Sequence, residues 1–269
     1  TNYKCHNCGA SLSLNNFLKQ IDPVLHKQYT MEKFKEGYTG KNFVVDEPKF
    51  DFKKPVFKKQ LDLPRASEVP AAKEYLEKRK LDPTQFYFAH KFKKWTNTQK
   101  KTFDNVQKDE SRIIIPLYDT DRNLIGFQGR ALGPNFVKYI TVMITDDAPK
   151  IYGLDKIDET KPIFIVEGPF DSTFVENSVA MCGSDIDIRT LGWSNYIWVY
   201  DNEPRNGEIV NRISKTIDRG EQVVIWPSGI EDKDINDMIL SGHDIMSILK
   251  SNIYSNLEAK IKFNNWKKV

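Results

Sequence analysis

The sequence contains no apolar run near the ~18 residues that a membrane span needs, and no amino-terminal secretion signal. Cysteine is scarce, with 3 in 269 residues, too few for a disulfide framework, so a reducing, cytoplasmic compartment is expected. Histidine is equally scarce, and His26, His90 and His243 are scattered through the chain without need of a functional role. No internal repeat is visible. Neither a membrane nor a secreted class is therefore expected. What the chain has in quantity is charge: 29% of residues are charged against 39% hydrophobic, with a mean hydropathy of -0.54. A polar globular protein of this size buries about 75% of its extended surface and can build a full core. The net charge of +3 conceals an asymmetry. Residues 1–150 hold 27 Lys and Arg against 18 Asp and Glu, whereas residues 151–269 hold 13 against 19. A basic front half suits a polyanion, and an acidic back half suits a cation.

The spacing of Phe17, Leu18, Ile21, Leu25 and Tyr29 predicts one or two short helices, interrupted at Asp22-Pro23. Residues 38–69 read as a linker, and a helix is expected over Pro70–Arg79. Short strands are expected at Arg112–Leu117, Leu124–Phe127 and Val137–Ile140. From residue 162 the rhythm becomes strand, helix, strand, helix. Ile163–Val166, Val179–Cys182, Ile197–Tyr200 and Val223–Trp226 are continuous apolar runs, as in strands of a parallel sheet covered on both faces. Helices are expected at Phe170–Asn177, Asp187–Leu191, Gly207–Asp218 and Ile235–Leu240, and a helical tail closes the chain over residues 241–269. The fold class is α/β: a basic α+β part over 70–150, an α/β domain with a mainly parallel sheet over 151–240, then the short helical tail.

In open α/β sheets chemistry gathers at the carboxyl ends of the strands. Glu167-Gly168 with Asp171 follows the first of these strands, Asp201-Asn202-Glu203 the third, and Asp232-Lys233-Asp234 with Asp237 the fourth. Carboxylates converging on one edge repel one another unless a cation is present. Oxygen donors with few His or Cys nearby point to Mg²⁺ or Mn²⁺. On the basic side, Arg112, Arg130, Lys138 and Lys150 sit on or beside the short strands, where cations suit nucleotide phosphates and a template backbone. Phe86, Tyr87, Phe88, Phe92 and Trp95 interleave with Lys91, Lys93 and Lys94, a composition that suits single-stranded bases or, equally, a core.

Val166-Glu167-Gly168-Pro169-Phe170-Asp171-Ser172 and Val199-Tyr200-Asp201-Asn202-Glu203-Pro204-Arg205 resemble the glutamate and acidic-pair motifs of the Toprim domain. Ile125–Leu132 with Lys138-Tyr139-Ile140 looks like the basic motif that precedes this domain in DnaG-type primases, and Lys150–Leu154 resembles the segment entering it. The wording Glu-Gly-Pro-Phe-Asp-Ser with Asp-Asn-Glu-Pro-Arg is closest to the primases of T-even-type bacteriophages. Glu203 departs from the general Asp-x-Asp pattern while fitting that phage version.

The resemblance implies synthesis of RNA primers on single-stranded DNA from ribonucleoside triphosphates, beside a replicative helicase, in the host-cell cytoplasm for a phage protein. It makes Asp201 and Glu203 metal ligands and Glu167 a ligand or general base, with Asp171 and Asp237 as further ligand candidates. Arg112, Arg130, Lys138, Tyr139, Lys150 and Lys233 become nucleotide or template contacts. Cys5-x-x-Cys8-Gly resembles the second knuckle of a zinc ribbon. A structural zinc needs four ligands, so residues 1–37 read as the remnant of a zinc-ribbon domain, with Zn²⁺ held only in a longer protein whose front precedes Thr1. Two other classes stay open at this stage: a Toprim nuclease using the same acids, and a non-catalytic nucleic-acid-binding subunit. A topoisomerase fits less well, because it needs large further domains around a nucleophilic tyrosine.

Overall fold

The computed structural model describes residues 2–4, 11–36, 61–133, 137–183 and 187–269, which fall into two units, 1–55 and 56–269. In the first unit, β1 (Asn2–Lys4) pairs antiparallel with β2 (Ser11–Ser13), followed by α1 (Leu14–Ile21) and α2 (Pro23–Lys35). Asp22 separates the helices as expected from Asp-Pro: its Oδ1 accepts from the amides of Val24 and Leu25, and Pro23 opens α2 where no amide is needed. Neither helix buries a residue. Cys5 and Cys8 lie outside the described residues, as does most of the expected linker.

The second unit begins earlier than the sequence suggests. Leu61 and Ala66 are buried, and Arg65 bridges to Tyr87, so the end of the expected linker belongs to the core. α3 (Pro70–Glu77) and α4 (Phe92–Gln99) accompany an antiparallel sheet of β3 (Tyr87–Ala89), β4 (Arg112–Tyr118), β5 (Leu124–Ala131) and β6 (Tyr139–Met143), in that order. β4 and β5 are buried almost throughout. The period of two sorts β4: Ile113, Ile115 and Leu117 join the main core, while Ile114 packs on the opposite face with Leu61, Phe92 and Phe127. Phe86, Phe88 and Phe92 are buried in these clusters, so they are not open to bases. Lys93 and Lys94 donate their amides to the Asp109 carboxylate, which serves the start of α4 in place of a local cap.

The second sheet comprises β7 (Ile151–Tyr152), β8 (Ile163–Val166), β9 (Ser178–Met181), β10 (Tyr196–Val199), β11 (Gln222–Val224) and β12 (Ile253–Tyr254). Its order is β12-β11-β10-β8-β9-β7; the four central strands are parallel and the two edges antiparallel. The helices are α5 (Pro169–Ser172), α6 (Gly207–Asp218), α7 (Ile235–Leu240), α8 (Ile245–Ser251) and α9 (Asn256–Trp266). Two expectations change here. The helix expected over Phe170–Asn177 stops after four residues, because Ser178 turns its hydroxyl onto the Ser172 and Val175 carbonyls and Asn177 takes a φ of 50°. The tail is not purely helical: β12 pairs with β11 and closes the sheet, and α9 lies against α6. Both sheets feed one continuous core. Among the described residues no helix is long and apolar enough to cross a membrane.

Candidate active site

The central strands β8 and β10 lie side by side in register, Val199 opposite Val166, so the segments after them emerge together. Glu167 follows β8, and Asp171 stands in the first turn of α5. Gly168 makes room for that carboxylate: a Cβ there would sit 2.7 Å from Asp171 Oδ2. Asp201 and Glu203 follow β10, where the Glu203 amide donates to the Asp201 carbonyl at 2.9 Å. The loop before α7 closes on the same edge, its Lys233 carbonyl accepting from the Asn202 amide at 2.7 Å. Asp234 caps α7 by accepting from the Asp237 amide at 2.8 Å.

Four of the carboxyls, Glu167, Asp171, Asp201 and Asp237, are held in settings that disfavour their charge. Burial, then the Asp234 carboxylate, pushes Asp171 up to about 7, even though its Oδ1 accepts the Asn236 amide at 3.0 Å. Burial followed by Glu167, Asp171 and Asp234 pushes Asp201 up to about 8 against the pull of Lys233. Burial also raises Glu167, opposed by Arg212 at 3.2 Å, and burial with Asp234 raises Asp237. Glu203 is engaged from two sides, by Lys233 at 3.1 Å and by the Asn206 amide group at 3.1 Å. These groups feel one another's charge, yet among the described residues no three acidic, histidine or cysteine side chains already share a common ligand position.

The basic elements meet the acids from the β8 side. Arg130 is buried, donates to the Tyr75 hydroxyl at 3.1 Å and lies over the Tyr139 ring at 4.5 Å. Tyr139, pushed up to about 12 mainly by burial, feels both Arg130 and Asp171. Arg130 and Tyr139 are therefore brought to the site, together with Lys233. Lys138 and Lys150 are exposed, and what they give the structure is backbone, since their carbonyls accept from Arg112 and from the Cys182 amide. Arg112 is a correction. It is 0% exposed, and its guanidinium donates to Glu110 and to the carbonyls of Gly129, Val137 and Lys138. No donor is left for a phosphate; Arg112 ties β4 to β5 and to the approach to β6.

Three contributors are absent from the sequence-based expectation. Asn236 is buried and binds Arg79 twice, accepting from Nη1 at 2.8 Å and donating to the carbonyl at 2.8 Å, while its amide holds Asp171. Arg79, just past α3, is thus joined to the acid site across 157 residues of sequence. Arg212 had a readable signal: with Ile209, Ile213 and Thr216 it falls on the inward stripe of α6 at helical spacing. Replacing Gly168 by Ala is expected to push Asp171 aside and slow catalysis by ~10²-fold, with the fold retained, as a displacement of about an ångström does. A steady-state rate and a thermal melt on the variant measure this.

No protein-family model matches the chain. Its fold is shared with a DnaG primase catalytic domain bound to single-stranded DNA, at 19% identity and a TM-score of 0.53, covering 71% of this chain and 75% of that one. It is shared also with the zinc-binding and RNA polymerase domains of the Aquifex aeolicus primase, at 20% identity and a TM-score of 0.52, over 93% of this chain and 73% of that one. In sequence the chain is 32% identical to the DNA primase of Enterobacteria phage T4 over 285 aligned positions, spanning 100% of this chain and 82% of the phage protein. With that identity along its whole length, on a primase fold with the acid-edged parallel sheet described above, the chain belongs to the DNA primases.

Proposed function

We propose that the chain joins ribonucleotides into short RNA primers on a single-stranded DNA template. The 3′-hydroxyl oxygen of one nucleotide bonds to the α-phosphorus of the next, the α–β bridging bond breaks, and pyrophosphate leaves. The observation that carries this reading is the burial of Glu167, Asp171 and Asp201 at one sheet edge, to which neighbouring carboxylates add, with Asp171 pushed up to about 7 and Asp201 to about 8. Crowded carboxylates are relieved by a proton or a cation, and an all-oxygen donor set fits Mg²⁺ or Mn²⁺. Asp201 and Glu203 would hold the ion, with Asp171 and Asp237 behind them. Such an ion would supply charge neutralisation of the triphosphate and would acidify the attacking hydroxyl.

The side chains themselves supply the remainder. Glu167, its basicity raised by burial and checked by Arg212, accepts the proton of the attacking hydroxyl. Arg130 and Arg79 bind phosphate from the β8 side, and Tyr139 fixes the Arg130 guanidinium. Lys233 turns from Glu203 to the triphosphate when the acids are neutralised. One fold neighbour is bound to single-stranded DNA, and Lys138 and Lys150, both exposed, would meet the template backbone. Partnership with a replicative helicase, and zinc bound through Cys5 and Cys8 with two further ligands, are carried over from the family resemblance.

Incubation with single-stranded DNA, labelled ribonucleoside triphosphates and Mg²⁺ tests the reading. The expected product is short labelled RNA that disappears on chelation. A nuclease would instead shorten labelled DNA and incorporate nothing, and that outcome would replace the reading.

A further inference from the structure

The loop that carries Glu203 has a second face. Residues 202–206 form one wall of an open cavity of about 980 Å³, which is lined also by the 225–231 loop, β12 and the end of α9. That wall is fixed in place: the Lys268 amide donates to the Pro204 carbonyl at 2.8 Å, and the Trp266 indole donates to Asn202 Oδ1 at 2.9 Å. Three cations line the cavity, Arg205, Lys262 and Lys268, against the two acids Glu203 and Glu231. Glu203 is already satisfied by Lys233, and among the described residues no carboxylate pairs with any of the three cations. The volume lies in the range that takes a nucleotide-sized ligand, roughly 300–1,000 Å³. Even with Glu231 counted, the cavity keeps an excess of positive charge, and it shares a wall with the acid cluster.

Its position in the sheet order gives it a partner. The strands run β11, β10, β8 across the edge, so the cavity lies on the β11 side of the carboxylates while Arg79, Arg130 and Tyr139 approach from the β8 side. Two positive regions thus flank one set of acids. Joining the first two nucleotides calls for this arrangement. Only the second nucleotide reacts at its α-phosphorus; the first gives up the proton of its 3′-hydroxyl and carries its own 5′-triphosphate unchanged into the dinucleotide. That spectator triphosphate stays next to a carboxylate cluster throughout the step and needs cations of its own. Resting on the primase reading, we infer that this cavity holds the 5′-triphosphate of the initiating ribonucleotide, with Arg205, Lys262 and Lys268 as its ligands.

The test is dinucleotide synthesis with the initiating nucleotide supplied as triphosphate, monophosphate or nucleoside, and the second always as triphosphate. The wild-type chain is expected to show a KM for the initiating triphosphate at least ~10-fold below that for the nucleoside, and R205Q/K262Q/K268Q is expected to lose this preference. The KM of the second nucleotide and the affinity for single-stranded DNA should stay unchanged. R205K/K262R/K268R, which keeps every charge, should restore the preference. Exposed charges of this kind carry little stability; should the triple variant nonetheless melt early, K262Q alone is expected to lose part of the preference. A preference retained by the glutamine variants, or absent from the wild type, overturns the assignment. If the wild type joins no nucleotides in any form, the primase reading itself falls. Binding of inorganic tripolyphosphate without divalent metal then decides on the cavity: weakening of ~10-fold in R205Q/K262Q/K268Q upholds it and equal affinity refutes it.

Discussion

Arg112→Ala is expected to destabilise the protein by about 3–5 kcal/mol, the range found when one partner of a buried, hydrogen-bonded charge network is removed. The substitution opens a void beneath the Phe92 ring, over which the guanidinium lies at 5.4 Å. It also leaves the Gly129, Val137 and Lys138 carbonyls without their shared donor. Arg112→Lys should recover little, because one ammonium cannot reproduce a planar fork reaching Glu110 on one side and three carbonyls on the other. The neighbouring Lys138→Ala gives the contrast. Its side chain is exposed and only its carbonyl is used, so its effect on stability should stay within about 0.5 kcal/mol while DNA binding weakens. Chemical unfolding of the three variants measures the difference. Equal stability of wild type and Arg112→Ala would return Arg112 to the list of surface phosphate ligands.

The contrast between Arg112 and Glu167 marks how far the sequence was legible. Ile163–Val166 is apolar without interruption, and only a strand covered on both faces tolerates that; an acid directly after it is therefore at a strand end. The same argument places Asp201 after β10. Arg112 precedes an equally apolar run, yet a charge at a strand end reads the same whether it faces water or a ring of carbonyls. Only the packing of Phe92 and Leu61 over that face decides it. Ile253-Tyr254 is too short for periodicity, and it is a strand because β11 offers it an open edge. Asn236 and Arg79 meet across more than half of the chain, a separation for which a single sequence carries no signal. Local pattern thus located the acids, while the groups that hold them in place come from long-range contacts.

Asp201→Asn is expected to reduce primer synthesis by at least ~10³-fold, the scale of losing a principal electrostatic group at a reacting centre. The exchange is nearly isosteric, so the packing around Tyr200 and Asn202 survives. It also changes the response to pH. Asp201 titrates at about 8 in the folded chain and at about 4 once unfolded. Between those values the folded state holds the extra proton, so the stability of the metal-free protein falls as pH rises from about 4 to about 8. Asn removes this site's share of that slope. At pH 8 the metal-free variant should melt a few degrees above wild type, and near pH 4 the two should coincide.

Dinucleotide formation by Asp201→Asn, with Mg²⁺ on a single-stranded template, is the assay that decides whether the carboxylates at the end of β8 and β10 perform the proposed transfer. The variant is expected to fold, to bind template with wild-type affinity, to melt higher than wild type at pH 8 without metal, and to make no detectable dinucleotide. Near-normal synthesis by that folded variant would place the active site elsewhere.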